Sequence, residues 1–110
     1  MARILVTEQL ADSGLDAMRD AGHEVDVALG LSPDDLLTAV KGAQALVVRS
    51  STQVTAEVLE AGSDLVVIGR AGVGVDNVDV VAATRKGVMV VNAPGSNVLS
   101  TAEHAMALLL

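Results

Sequence analysis

Short apolar runs of four to six residues alternate along the chain with longer amphipathic stretches. Arg3 to Thr7 has the length and composition of a buried strand. Behind it, Asp12 or Ser13 caps a helix that runs to about Ala21 and stops at Gly22. His23 to Ala28 is a second strand. Ser32-Pro33-Asp34-Asp35 then opens a helix, with Ser at the N-cap, Pro at the first helical position and two acids in the first turn. Its apolar positions Leu36, Leu37 and Val40 share one face, and Gly42 closes it.

The alternation continues with a third strand over Ala43 to Val48 and a short helix capped by Thr55 that ends near Ala61. Leu65 to Ile68 is a fourth strand that ends at Gly69-Arg70. Asp76-Asn77 caps a helix from about Val78 to Lys86, and Val88 to Val91 is a fifth strand. After the loop Asn92 to Asn97, the segment from Leu99 to Leu110 is helical in pattern. Strands that are continuously apolar and separated by helices predict a parallel sheet covered on both faces. The expected architecture is a flavodoxin-like, doubly wound α/β sheet of five strands in the order 2-1-3-4-5, with right-handed crossovers. Residues 1–98 would form this unit, with 99–110 a terminal helix.

Composition narrows what such a domain can do. Hydrophobic residues make up 51% of the chain, yet it contains no Phe, Trp or Tyr. There is no ring to stack on a flavin or a base, or to anchor at a membrane interface. Seven basic and fourteen acidic residues give a net charge of 7 − 14 = −7, the wrong sign for a phosphate backbone. Without cysteine there is neither a disulfide nor a thiolate site. No stretch approaches the roughly 20 apolar residues of a membrane span. The N-terminal run meets Glu8 too soon for a secretory signal, so a cytoplasmic protein is expected.

In open α/β sheets ligands bind at the carboxyl ends of the strands. Three such ends carry distinctive residues: Arg49-Ser50-Ser51-Thr52, Gly69-Arg70-Ala71-Gly72-Val73-Gly74-Val75-Asp76-Asn77, and Asn92-Ala93-Pro94-Gly95-Ser96-Asn97. Neighbouring strands would bring Arg49 and Arg70 to one edge beside a glycine-rich backbone and an Asn amide. Guanidinium forks and backbone N–H groups together suit a small carboxylate or phosphate. An Arg at a strand end also serves as a solvated charge or as the partner of a helix carboxylate, and a glycine-rich loop as a plain tight turn.

Gly72-x-Gly74 is not a dinucleotide fingerprint. The third glycine position holds Asn77, the loop follows the fourth strand rather than the first, and no acid stands about twenty residues on. His23 and His104 have no ligand spacing, and Glu103 and His104 diverge on a helix. Neither a catalytic triad nor a metal site is expected. Thr7-Glu8-Gln9 after the first strand does not match a flavodoxin phosphate loop. A lone Glu8, with Arg49 ending the third strand, does not match a phospho-receiver domain.

At the same three loops the chain resembles the D-2-hydroxyacid dehydrogenases, and most of all their branch that oxidises 3-phosphoglycerate, the first step of serine synthesis. The matching residues run from Leu46 to Thr55, from Val67 to Asp79 and from Ala82 to Pro94, continuing through Ser96-Asn97 and Ser100-Thr101-Ala102-Glu103. The resemblance implies an NAD-dependent oxidoreductase whose N-terminal domain recognises an anionic 2-hydroxy acid. By similarity Arg49 and Ser50 hold the substrate, Arg70 binds its phosphate end, and Asn97 hydrogen-bonds nearby. The backbone of Gly72 and Val73 would face the substrate carboxylate, with Val73 also meeting the nicotinamide end of the cofactor. Where the family sometimes has Thr at this position, Val73 offers its backbone donor without a hydroxyl.

The family's dinucleotide fingerprint and its catalytic Arg, Glu and His fall beyond Leu110, so the resemblance implies a truncated, substrate-binding part with no bound NAD and no activity alone. Ala102, Ala105, Met106, Leu109 and Leu110 form an apolar stripe, which suggests a homodimer or higher oligomer through the terminal helix. A different class of function also fits: an excised or engineered α/β subdomain whose role is structural or in oligomerisation.

Overall fold

A computed structural model describes residues 3–9, 12–49, 51–71 and 76–93, except for the side chains of 12–14, 71, 92 and 93. In chain order the elements are β1 (Arg3–Val6), α1 (Asp12–Asp20), β2 (Glu24–Val27), α2 (Pro33–Ala39), β3 (Ala45–Val48), α3 (Ala56–Ala61), β4 (Val67–Ala71), α4 (Val80–Arg85) and β5 (Met89–Ala93). The strands form one parallel sheet in the order β2-β1-β3-β4-β5, as the apolar pattern predicts.

Strand alternation splits the core into two layers. Leu5, Leu46, Val48 and Ile68 point to one face, where they pack with Leu36 and Val40 around α2, Val58 and Leu59 of α3, and Ala83 of α4. Ile4, Val6, Ala45, Val47 and Val67 point to the other, against Met18 of α1. Aliphatic side chains do all of this work. At about 1.5–3 kcal/mol for each fully buried Val, Leu or Ile, these layers are the main force holding the sheet together.

Helix boundaries follow from local chemistry. The Ser32 hydroxyl accepts the Asp35 N–H and Thr55 accepts the Val58 N–H, so both expected caps are present. Gly22, Gly42 and Gly87 follow α1, α2 and α4 with φ of 92°, 81° and 74°, the left-handed conformation that ends a helix without a Cβ clash.

Four expectations need correction. The cap of α4 is Asp79, whose carboxylate accepts the Ala82 N–H, and neither Asp76 nor Asn77 serves there. Asn77 is drawn away because Val54 and Val78 form an isolated parallel bridge, with Val54 N–H donating to the Asn77 carbonyl and Asp79 N–H to the Val54 carbonyl. β4 starts at Val67 rather than Leu65 and takes in Gly69, Arg70 and Ala71 as paired residues, because β3 and β5 pair with it on both sides. β5 likewise starts at Met89 and runs to Ala93. Finally, β2, of sequence EVDV, is not continuously apolar, and among the described residues it is an edge strand paired with β1 alone. The terminal segment 99–110 lies outside the described residues.

Candidate functional site

Because all five strands run parallel, their carboxyl ends share one edge of the sheet. The site is built there from β1, β3, β4 and the turn before α4. Arg70 pairs in register with Val48 on one side and Asn92 on the other, so it stands on the α2–α4 face at the last rungs of the sheet. It is a cation in a buried setting, with 8% of its surface exposed. Its Nε–H donates to Asn77 Oδ1 at 2.5 Å.

Asn77, 6% exposed, links Arg70 to the loop after β3. Its Nδ2 donates to the carbonyls of Arg49 and Thr52, each at 2.6 Å. Those three bonds fix the amide's orientation, since an oxygen must face the guanidinium and a donor the two carbonyls.

The same loop is held from the opposite side by Glu8. Its Oε2 accepts the N–H of Arg49 at 2.5 Å and of Thr52 at 3.1 Å, and its Oε1 accepts the N–H of Ser51 at 3.0 Å. Thr7, the residue before it, shares a 2.9 Å hydroxyl–hydroxyl bond with Thr52. Burial alone pushes the Glu8 carboxyl up, but hydrogen bonds from the Arg49, Ser51 and Thr52 backbone and from the Thr52 side chain outweigh it. The net result is a group held below its ordinary value of 4.5.

Of the six residues proposed from sequence, the structure describes two. Arg49 is exposed, with its Nη1 donating to the Gln9 carbonyl at 3.4 Å, whereas Arg70 is buried. The two arginines do share one edge, and Asn77 joins the Arg49 main chain to the Arg70 side chain. Ser50, Gly72, Val73 and Asn97 lie outside the described residues.

Sequence reasoning missed the roles of Glu8 and Asn77. Glu8 carried a signal, being a charged residue directly after a buried strand, where an acid must find donors. Asn77 carried only a misleading one, because Asp-Asn before an apolar run reads as a helix cap.

Beside Glu8 an open cleft of about 600 Å³ lies between the loops that follow β1, β2 and β3. Its walls are largely apolar, with Leu29, Leu31, Leu36, Leu37 and Val58. The charged residues lining it are Glu8, Asp34 and Glu57, and no Lys or Arg is among them. That acidic lining disfavours an anion in the cleft.

Residues 4–107 match the family model for the D-isomer specific 2-hydroxyacid dehydrogenase, catalytic domain. The chain belongs to the D-isomer specific 2-hydroxyacid dehydrogenase family. Within it, the chain is similar to the D-3-phosphoglycerate dehydrogenase of Archaeoglobus fulgidus, with 53% identity over 98% of this chain and 20% of that protein.

Solved structures of similar fold include an NAD+-bound 3-phosphoglycerate dehydrogenase from Entamoeba histolytica. It has a TM-score of 0.76 and 30% identity, covering 84% of this chain and 33% of the other. A protein from Thermus thermophilus has a TM-score of 0.78 and 41% identity, covering 98% and 35%. The chain thus spans about a fifth of the length of the curated dehydrogenases it matches. Among the described residues no helix is long and apolar enough to cross a membrane.

Proposed function

We propose that this chain is the substrate-recognising α/β unit of an NAD-dependent D-3-phosphoglycerate dehydrogenase, with its carboxyl-terminal sheet edge receiving the anionic 2-hydroxy acid. The observation that carries the proposal is Arg70, a cation buried at the last rungs of the sheet and oriented by Asn77. Its guanidinium offers a planar fork of donors that suits a carboxylate or phosphate. Similarity to D-3-phosphoglycerate dehydrogenases at half or more of the positions supports 3-phosphoglycerate as that anion. Arg49 and Ser50 would hold the substrate from the β3 loop, with Asn97 and the backbone of Gly72 and Val73 completing the site.

The described residues do not fit a dinucleotide. The turn after β1, Thr7-Glu8-Gln9, has no glycine, and it places the Glu8 carboxylate in the crevice, bound to N–H groups of the β3 loop, where it repels a phosphate. In this reading Val73 alone touches the nicotinamide end of the cofactor, and these 110 residues bind substrate without oxidising it. The apolar stripe at 102–110 supports association into a homo-oligomer, for which light scattering over a concentration series is the test.

The binding site is tested by titrating 3-phosphoglycerate into isotope-labelled protein. Resonances of Arg49, Arg70 and Asn77 shift and saturate at millimolar ligand, and Arg70→Ala abolishes the response. Shifts confined to the 600 Å³ cleft would place the ligand elsewhere and overturn the assignment.

A further inference from the structure

Two strands whose connections leave in opposite directions, β1 and β3 here, create the crevice in which doubly wound sheets usually seat an anionic ligand. In this chain that crevice already contains an anion, and it belongs to the protein. The N–H groups of Arg49, Ser51 and Thr52 converge on the two oxygens of Glu8, from 41 to 44 residues away in sequence. Convergent main-chain N–H groups are a general anion-binding device. Here the device is filled internally, and Thr7 adds the hydroxyl pair to Thr52.

The filled nest has two effects on the neighbouring edge. The β3 loop is fixed on both sides, its N–H groups by Glu8 and its Arg49 and Thr52 carbonyls by Asn77, which also orients Arg70. At the same time the crevice, lined by Glu8, Asp34 and Glu57, presents negative charge to any incoming anion.

We infer that Glu8 is a positioning and specificity-determining residue: it occupies the β1–β3 anion nest, holds the β3 loop in its binding geometry, and directs anionic ligands one strand over to Arg70. The directing step rests on the reading of the Arg70 edge as the substrate side, whereas occupation of the nest does not.

The test uses inorganic phosphate and 3-phosphoglycerate on the 110-residue chain and its Glu8→Ala and Glu8→Gln variants, followed by amide shifts and hydrogen exchange. Without ligand, the Arg49, Ser51 and Thr52 amides exchange slowly in the parent chain, and all three accelerate at least about tenfold in Glu8→Ala, in line with the loss of charge-assisted bonds. Glu8→Gln keeps one carbonyl oxygen for Arg49 and Thr52 but turns an NH2 toward the Ser51 N–H, so Ser51 alone accelerates. This isostere carries the test if Glu8→Ala does not fold.

Phosphate leaves the three amides of the parent chain unmoved and restores saturable protection in Glu8→Ala. 3-Phosphoglycerate shifts Arg70 in the parent chain and the Ser51 and Thr52 amides in Glu8→Ala. A variant whose amides stay protected, or a parent chain that takes phosphate at those amides, overturns the inference. If Arg70 ignores 3-phosphoglycerate in the parent chain while the exchange and phosphate results hold, the functional reading and its directing step fall and the filled nest stands. A core variant such as Met18→Ala, which is remote from the nest, gains no phosphate binding and so separates the effect from general loosening of the fold.

Discussion

Asn77 uses its whole side-chain amide inside the protein, accepting from Arg70 and donating to two carbonyls of the β3 loop. Removing it leaves a buried cation and two carbonyls short of partners, so Asn77→Ala is expected to cost about 3 kcal/mol in chemical denaturation. Asn77→Asp tests orientation: it suits Arg70 but sets a carboxylate oxygen against the two carbonyls, and should not rescue. Glu8 makes a prediction about pH. Its folded value lies below 4.5, so its stabilisation is fully present above about pH 4.5 and is lost as pH falls through the folded value. The stability difference between the parent chain and Glu8→Gln is therefore constant above pH 4.5 and shrinks below it; a difference that grows on acidification would contradict the assignment. At this scale sequence shows that Arg49 and Arg70 share an edge, because both follow apolar runs that read as parallel strands. It hides what holds them, since a carboxylate reaching amides 41 to 44 residues away leaves no local pattern.

Local elements were legible wherever a side chain bonds to its own neighbourhood. Ser32 and Thr55 accept from residues three positions on, and their caps follow directly from composition. Ser32→Ala is expected to lower stability by about 1 kcal/mol and Leu36 to lose part of its packing order. The β4 boundary was not legible, because Gly69 and Arg70 have weak strand character by themselves and are held extended by partners on both flanks. The α4 cap failed for a related reason, with the Val54–Val78 bridge overriding a local signal. Gly62 illustrates the tertiary control most sharply. A Cβ there would lie 2.6 Å from Leu65 Cδ1, 2.9 Å from Leu65 Cγ and 3.0 Å from Val40 Cγ2. Gly62→Ala should therefore destabilise by about 1–3 kcal/mol through overpacking, while Gly→Ala in an open helix position would stabilise. A thermal melt distinguishes these signs.

Over the whole molecule, the polarity of the sheet decides what chemistry the residues can reach. Parallel strands put Arg70, Asn77, Glu8 and the β3 loop at one edge, and His23, directly before β2, at the opposite edge. Oxidising a 2-hydroxy acid requires a hydride acceptor and a base to take the hydroxyl proton. Of the acids lining the crevice, Glu8 is occupied by main-chain donors, and Asp34 and Glu57 line the cleft beside it. In the proposed reading recognition and reaction are separable, and the residues at this sheet edge supply recognition. Pure protein incubated with NAD and 3-phosphoglycerate is expected to form no NADH above the protein-free rate, even where amide shifts report binding at Arg70. NADH formation that rises in proportion to protein and vanishes in Arg70→Ala would show that these residues complete the reaction, and would overturn the division.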